Sequence, residues 1–223
     1  KAEADILTLS LSGKKADIQV SPKGDLTFKG KKVGTISGYE NLRGPHNWQN
    51  IAAVWGIAEK YVTFKQFEKA LKTFVGLPHR MEKVATCNGV TFVNDSKATN
   101  PDAAIKALET YKNIYWIAGG VEKAEGLTPC FAHSENVRGV FLIGEKATPM
   151  SQQVEQAGLP AFACHTMKTA VWEAYRCAFQ EDFEDPVVLL SPACASFDQF
   201  SSFEHRGDVY ASAVRELVQK EGR

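Results

Sequence analysis

From Leu77 onward the sequence alternates short apolar runs with stretches that read as helices. That alternation limits the fold more than any other feature of the chain. Candidate strands are Val90–Val93, Ile114–Ala118, Gly139–Ile143, Ala161–Ala163 and Val187–Leu190. Candidate helices are Pro101–Leu108, Thr148–Ala157, Met167–Phe179 and Phe203–Lys220. A strand–helix alternation of this length predicts an α/β body built on a mainly parallel, doubly wound sheet.

The preceding part reads differently. Ile6–Leu11, Ile18–Val20, Leu26–Phe28 and Val33–Ile36 read as short hairpin strands. Ser12-Gly13, Pro22-Lys23-Gly24 and Lys29-Gly30 supply the turns. Gly44-Pro45 opens a helix from His46 to Lys60, with Ile51, Val54, Trp55 and Ala58 on one face. A second helix spans Thr63 to Phe74, with Phe64, Phe67, Leu71 and Phe74 on one side. Gly76-Leu77-Pro78 breaks it and divides the chain into residues 1–76 and 77–223. The hairpin strands are too few to fold alone and need a larger body to pack on.

Charge and cysteine content narrow the function. Lys plus Arg number 26 and Asp plus Glu number 26. This balance gives no general affinity for nucleic acid or acidic membranes. No apolar run reaches the roughly 18–20 residues of a membrane span, and Lys1–Asp5 does not resemble a signal peptide. A cytoplasmic protein is expected. The five cysteines include no C-x-x-C pair, so free thiols in a reducing compartment are expected, without a zinc ribbon or disulfide framework. No metal site is expected within this chain.

Polar clusters follow the predicted strands, and three of them could share one rim, since ligands of open α/β sheets sit at the carboxyl ends of strands. After Val93 comes Asn94-Asp95-Ser96-Lys97-Ala98-Thr99-Asn100. It offers a carboxylate, an ammonium, two hydroxyls and two amides just before a helix N-terminus, whose free N–H groups suit an anion. As a plain turn it would place Asn100 as a cap before Pro101. After Ile117 comes Gly119-Gly120-Val121-Glu122-Lys123. Its glycines allow close approach to a ligand, and Lys123 adds a positive charge. After Leu190 comes Ser191-Pro192-Ala193-Cys194-Ala195-Ser196-Phe197-Asp198-Gln199-Phe200. Its small residues suit a tight turn with exposed N–H and hydroxyl groups. Cys194 reads as a buried small residue in preference to a nucleophile.

Two further clusters lie elsewhere. Gly76-Leu77-Pro78-His79-Arg80 stands at the boundary, where the fork of Arg80 is suited to phosphate and His79 reads as structural. Asn47 and Asn50, three residues apart on one helix face, could bond the edge of adenine; the plainer alternative is that one Asn caps the helix. The chain has no Walker A loop, since Thr8 stands where the first Gly should precede Gly13-Lys14 and Lys15 where Ser or Thr should follow. It also lacks Gly-x-Gly-x-x-Gly.

Taken in order, these stretches resemble the Mur ligase family of bacterial cell-wall synthesis, and within it the branch that adds D-glutamate. The resemblance rests on His46-Asn47 with Asn50, Gly76–Arg80, Asn94–Asn100, Gly119-Gly120 with Lys123, and Leu190–Phe200 with Phe203-Glu204 and Arg206-Gly207. It implies that residues 1–76 are the end of a central ATP-binding domain and residues 77–223 a Rossmann-like C-terminal domain. It also implies ATP-dependent ligation of D-glutamate to UDP-N-acetylmuramoyl-L-alanine through an acyl phosphate, with Mg2+ held by residues outside this chain. On that likeness Asn47, Asn50, Arg80 and Asp95 serve ATP. Lys97, Thr99, Lys123, Ser196 and the backbone at Phe203 serve D-glutamate.

The family's P-loop, its carbamylated lysine, its magnesium ligands and its UDP-sugar domain have no counterpart here. The chain therefore reads as a monomeric fragment without activity of its own, and no catalytic residue is assigned to it. Two alternatives stay open: a non-catalytic module for nucleotide or an acidic amino acid, and a related ligase of folylpolyglutamate or cyanophycin type.

Overall fold

A computed structural model describes residues 6–12, 14–39 and 42–222. The chain divides into two compact units, Lys1–Gly76 and Leu77–Arg223. Gly13 of the first expected turn and the Lys1–Asp5 stretch lie outside the described residues.

The first unit carries a four-stranded sheet of β1 (Leu9–Ser10), β2 (Ile18–Val20), β3 (Asp25–Phe28) and β4 (Lys31–Thr35), in that order. β2, β3 and β4 pair antiparallel as expected, but β1 pairs parallel to β2 and makes no hairpin with it. The Asp17 carboxylate fixes this entry by accepting from both the backbone N–H (2.9 Å) and the hydroxyl (2.7 Å) of Thr8. Helix α1 (Pro45–Ala58) buries Ile51, Ala52, Trp55 and Gly56. Val54, expected on the buried face, is 54% exposed, so the stripe is narrower than the sequence suggested. Helix α2 (Phe64–Thr73) starts at a capping box between Thr63 and Gln66. Trp55 meets Phe64 edge-to-face, with ring centroids 5.4 Å apart, over a core of Ile18, Val20, Leu26 and Ile36.

The second unit is a six-stranded sheet. Its strands are β5 (Glu82–Cys87), β6 (Val90–Asn94), β7 (Ile114–Gly119), β8 (Val137–Ile143), β9 (Ala161–His165) and β10 (Val187–Leu190). Their order is β5-β6-β10-β7-β8-β9. All neighbours run parallel except β5, which pairs antiparallel with β6 at one edge. The expected doubly wound α/β sheet is therefore present. The helices are α3 (Pro101–Leu108), α4 (Thr128–Phe131), α5 (Ala147–Gln156), α6 (Met167–Glu181) and α7 (Phe203–Glu221).

Side-chain alternation along the strands feeds two apolar layers. Ile114, Trp116 and Ala118 of β7 join Val140, Leu142 and Leu189 under α3, α4 and α5. Tyr115 and Ile117 join Phe92, Phe141, Val188 and Leu190 under α6 and α7. Every residue of β7 and β10 is buried, as a central parallel strand requires. The chain leaves β6 for α3 on one face and β10 for α7 on the other, so neighbouring strands send their connections apart. That divergence is the switch point at which such sheets open a crevice. Among the described residues no helix is long and apolar enough to cross a membrane.

Candidate functional site

Three of the polar clusters stand side by side, because β6, β10 and β7 are consecutive in the sheet. The turn after β6 is built from its own side chains. Asn94 is fully buried; its Oδ1 accepts from the Ser96 N–H at 3.2 Å, and its Nδ2 donates to the Gly207 carbonyl at 3.1 Å. Asn100 caps α3 by accepting from the Ala103 N–H at 2.9 Å, and Pro101 follows at the first helical position. The helix N-terminus is thus satisfied locally at that donor.

Asp95 joins this turn to the next. Its Oδ2 accepts from the Ser191 hydroxyl at 2.9 Å and its Oδ1 from the Met81 N–H at 3.2 Å. Burial pushes its carboxyl up to about 7, against the opposing pull of Ser191, Met81 and the charge of Arg80. Each carboxylate oxygen keeps a second lone pair for a ligand. Ser191 and Ser196 are 0% and 2% exposed, so the expectation of exposed hydroxyls in this turn is corrected: Ser191 commits its hydroxyl to Asp95 instead. Cys194 is fully buried, and burial raises its thiol to about 12, which keeps it unreactive.

The turn after β7 closes against the turn after β10. Val121 and Ala195 exchange backbone hydrogen bonds of 2.9 and 3.0 Å. This sets Lys123 two residues from one partner and Ser196 one residue from the other. Lys123 is exposed. Asp198 reaches toward the loop after β8, where its Oδ2 accepts from the Glu145 N–H at 3.3 Å.

Exposed Lys97 lays its ammonium 3.8 Å from the centre of the Phe203 ring. Half-buried Thr99 follows, its N–H bonded to the Lys97 carbonyl at 2.8 Å. Phe203 begins α7, and its carbonyl accepts from the Ser96 hydroxyl at 2.8 Å. Arg80 is exposed and adjoins Met81, the donor to Asp95. His79 takes φ 60°, bonds the Asn94 amide through Nδ1 at 3.1 Å and accepts from the Lys97 N–H on its carbonyl at 3.0 Å. It is a structural joint of the turn, as its sequence context suggested. Gly207 faces that ring so closely that a Cβ there would overlap it.

The second unit thus gathers Asp95, Lys97, Thr99, Lys123, Ser196 and Phe203 on linked segments that follow the carboxyl ends of β6, β7 and β10, and Arg80 joins them from just before the antiparallel β5. Asn47 and Asn50 belong to the first unit. There the Asn47 amide donates to the Arg43 carbonyl at 2.8 Å, and α1 starts at Gly44 without a side-chain cap.

Sequence reasoning missed Ser191 as the partner of Asp95 and did not assign a role to Arg206. Arg206 is fully buried, donating to Ser96 and Cys194. Its signal was its place on the buried stripe of α7, one turn before Tyr210 and in line with Val214 and Leu217. Among the described residues no group of three or more His, Cys, Asp and Glu comes together to hold a metal ion.

The sequence model of the glutamate ligase domain of Mur ligases matches residues 79–194. The chain belongs to the Mur ligase family. Among curated Mur ligases it is similar to the UDP-N-acetylmuramoylalanine–D-glutamate ligase of Rhodospirillum rubrum, with 44% identity over 84% of this chain and 39% of that protein. It is likewise similar to the enzyme of that name from Paramagnetospirillum magneticum, with 41% identity over 96% of this chain and 46% of that protein. The chain therefore spans less than half the length of these relatives. The fold is also that of a solved Mur ligase, the UDP-N-acetylmuramate–alanine ligase of Thermotoga maritima. That match has a TM-score of 0.63 at 13% identity, covering 95% of this chain and 48% of that one.

Proposed function

We propose that this chain is a nucleotide-binding and D-glutamate-binding part of an ATP-dependent ligase that joins D-glutamate to UDP-N-acetylmuramoyl-L-alanine. The observation that carries the reading is the linked rim of β6, β10 and β7, found in a chain 44% identical to a ligase so named. D-glutamate is a dianion at neutral pH. It needs cations, hydroxyls and N–H groups converging from more than one loop. Lys97, Thr99, Lys123, Ser196 and the backbone at Phe203 supply them. Arg80 and Asp95 face the nucleotide, Arg80 at the phosphates and Asp95 at the ribose, and Asn47 and Asn50 read the adenine edge.

In this reading a substrate carboxylate oxygen attacks the γ-phosphorus of ATP and ADP leaves. The D-glutamate nitrogen, as its free amine, then attacks the acyl carbon; a C–N bond forms, the C–O bond to phosphate breaks, phosphate leaves with that oxygen and the nitrogen releases a proton to solvent. The residues of this chain bind and orient the amine. A phosphate cradle, and Mg2+ to offset the charge of the phosphates, would have to come from residues other than those assigned here.

The test uses the full-length protein and ADP release. Lys123→Ala should raise the KM for D-glutamate about tenfold or more, the loss of one charge-assisted hydrogen bond, and change the KM for ATP far less. Arg80→Ala should do the reverse. Equal effects of each variant on both substrates would sink the assignment. Absence of any ADP release with all three substrates present would favour the non-catalytic module reading.

A further inference from the structure

Arg206 is a buried cation whose hydrogen-bond partners include no carboxylate. The residue is 0% exposed, and half-buried Asp198 acts on it only through its charge, without a hydrogen bond. Its partners are neutral. Nε donates to the Ser96 hydroxyl at 3.0 Å, one terminal nitrogen to the Ser96 carbonyl at 2.9 Å, and the other to the Cys194 carbonyl at 2.9 Å. Ser96 passes the link on, donating its hydroxyl to the Phe203 carbonyl at 2.8 Å. Burial lowers the guanidinium to about 10, with Cys194 and Asp198 opposing. Placing a charge there is unfavourable unless geometry compensates.

The three anchored segments are the turn after β6, the turn after β10 and the first residue of α7. Each adjoins a residue assigned above to D-glutamate. Lys97 follows Ser96, Ser196 lies two residues past Cys194, and Phe203 is itself bonded. The pairing of Ala195 with Val121 extends the same frame toward Lys123. A planar fork with several fixed donors can hold such segments at set spacing, where a lysine with one flexible ammonium cannot.

We propose that Arg206 is a positioning residue for D-glutamate, fixing through Ser96 and Cys194 the distance between the turns that grip the two ends of the amino acid. The inference rests on the D-glutamate reading. It assigns Arg206 no contact with substrate.

The test compares wild type, Arg206→Lys and Ser96→Ala in the full-length protein. Ser96→Ala leaves Arg206 Nε and the Phe203 carbonyl without their partner while removing a single oxygen. Both variants should raise the KM for D-glutamate about tenfold or more, with the KM for ATP within about twofold. In the absence of substrate, hydrogen exchange at residues 97–99 and 195–197 should quicken, while that of β7 and β8 stays unchanged.

An unchanged KM for D-glutamate, or equal rises in both KM values, overturns the proposal, as does unchanged exchange at the two turns. If Arg206→Lys does not fold, Ser96→Ala decides alone. If wild-type ADP release does not depend on D-glutamate, the functional reading fails. The exchange measurement then still decides whether Arg206 holds the turns.

Discussion

Asp95 is a carboxyl group held almost entirely out of water at the edge of a water-facing rim, and this gives it a measurable signature. An unfolded chain ionises such a group near 3.8, whereas the folded chain does so at about 7. Between these values the folded state keeps a proton that the unfolded state has lost. The contribution to stability is therefore complete below the unfolded value and is lost as pH rises toward 7, after which it stays flat. Asp95→Asn is neutral throughout. It keeps an oxygen for Met81 and a donor for Ser191. The melting temperature of the variant minus that of wild type should increase by several degrees between pH 4.5 and pH 8. A pH-independent difference in calorimetric melts would contradict the burial argument. Arg206 differs in kind, because a guanidinium stays charged over this range and its effect is geometric.

At the scale of elements, the turns matter through how closely they approach one another. Gly120 has φ +128°, and a Cβ built there would overlap the Ala195 carbonyl oxygen. Gly120→Ala must therefore push apart the Val121–Ala195 pairing. The variant should lose about 1–3 kcal/mol in urea unfolding, and in the full-length protein it should weaken D-glutamate more than ATP. An unaltered midpoint would show that the two turns are free to separate.

Most of the parallel strands and their helices were legible because they are dense apolar runs, as in β7 and β10, or amphipathic stretches with a side-chain cap, as in α3, α6 and α7; Asn100-Pro101 marks the start of α3 within a residue. β5 was not, since Glu82–Cys87 is a half-exposed edge strand with little alternation. Nor was α4, with four residues. Strand order was illegible too, because β10 pairs with β6 and β7 through residues far away in sequence, such as Val187 with Thr91 and with Ile114. The chemistry of the rim could be read from residue types following strands. Its internal wiring through Ser191, Ser96 and Arg206 could not, because buried hydrogen bonds leave no periodic trace.

At the scale of the molecule, Leu77–Arg223 has two apolar layers of its own around one sheet. Expressed alone, residues 77–223 should unfold cooperatively and scatter X-rays with a radius of gyration of about 15 Å; an expanded, non-cooperative chain would mean that the layers need outside support. The position of β10 also places events in time. A ribosome delivers β6, β7, β8 and β9 before it delivers the strand that belongs between the first two. At ordinary rates of synthesis the gap is on the order of ten seconds. For that interval β6 and β7 face an empty slot, open to chaperones and to mispairing. The linked rim, which needs all three turns and Arg206 still further along, can close only after β10 and the start of α7 have been made. Loss of residues 187–223 would therefore take away β10, Ser196, Phe203 and Arg206 while leaving Arg80, Asp95, Lys97, Thr99 and Lys123 without the turn that links them.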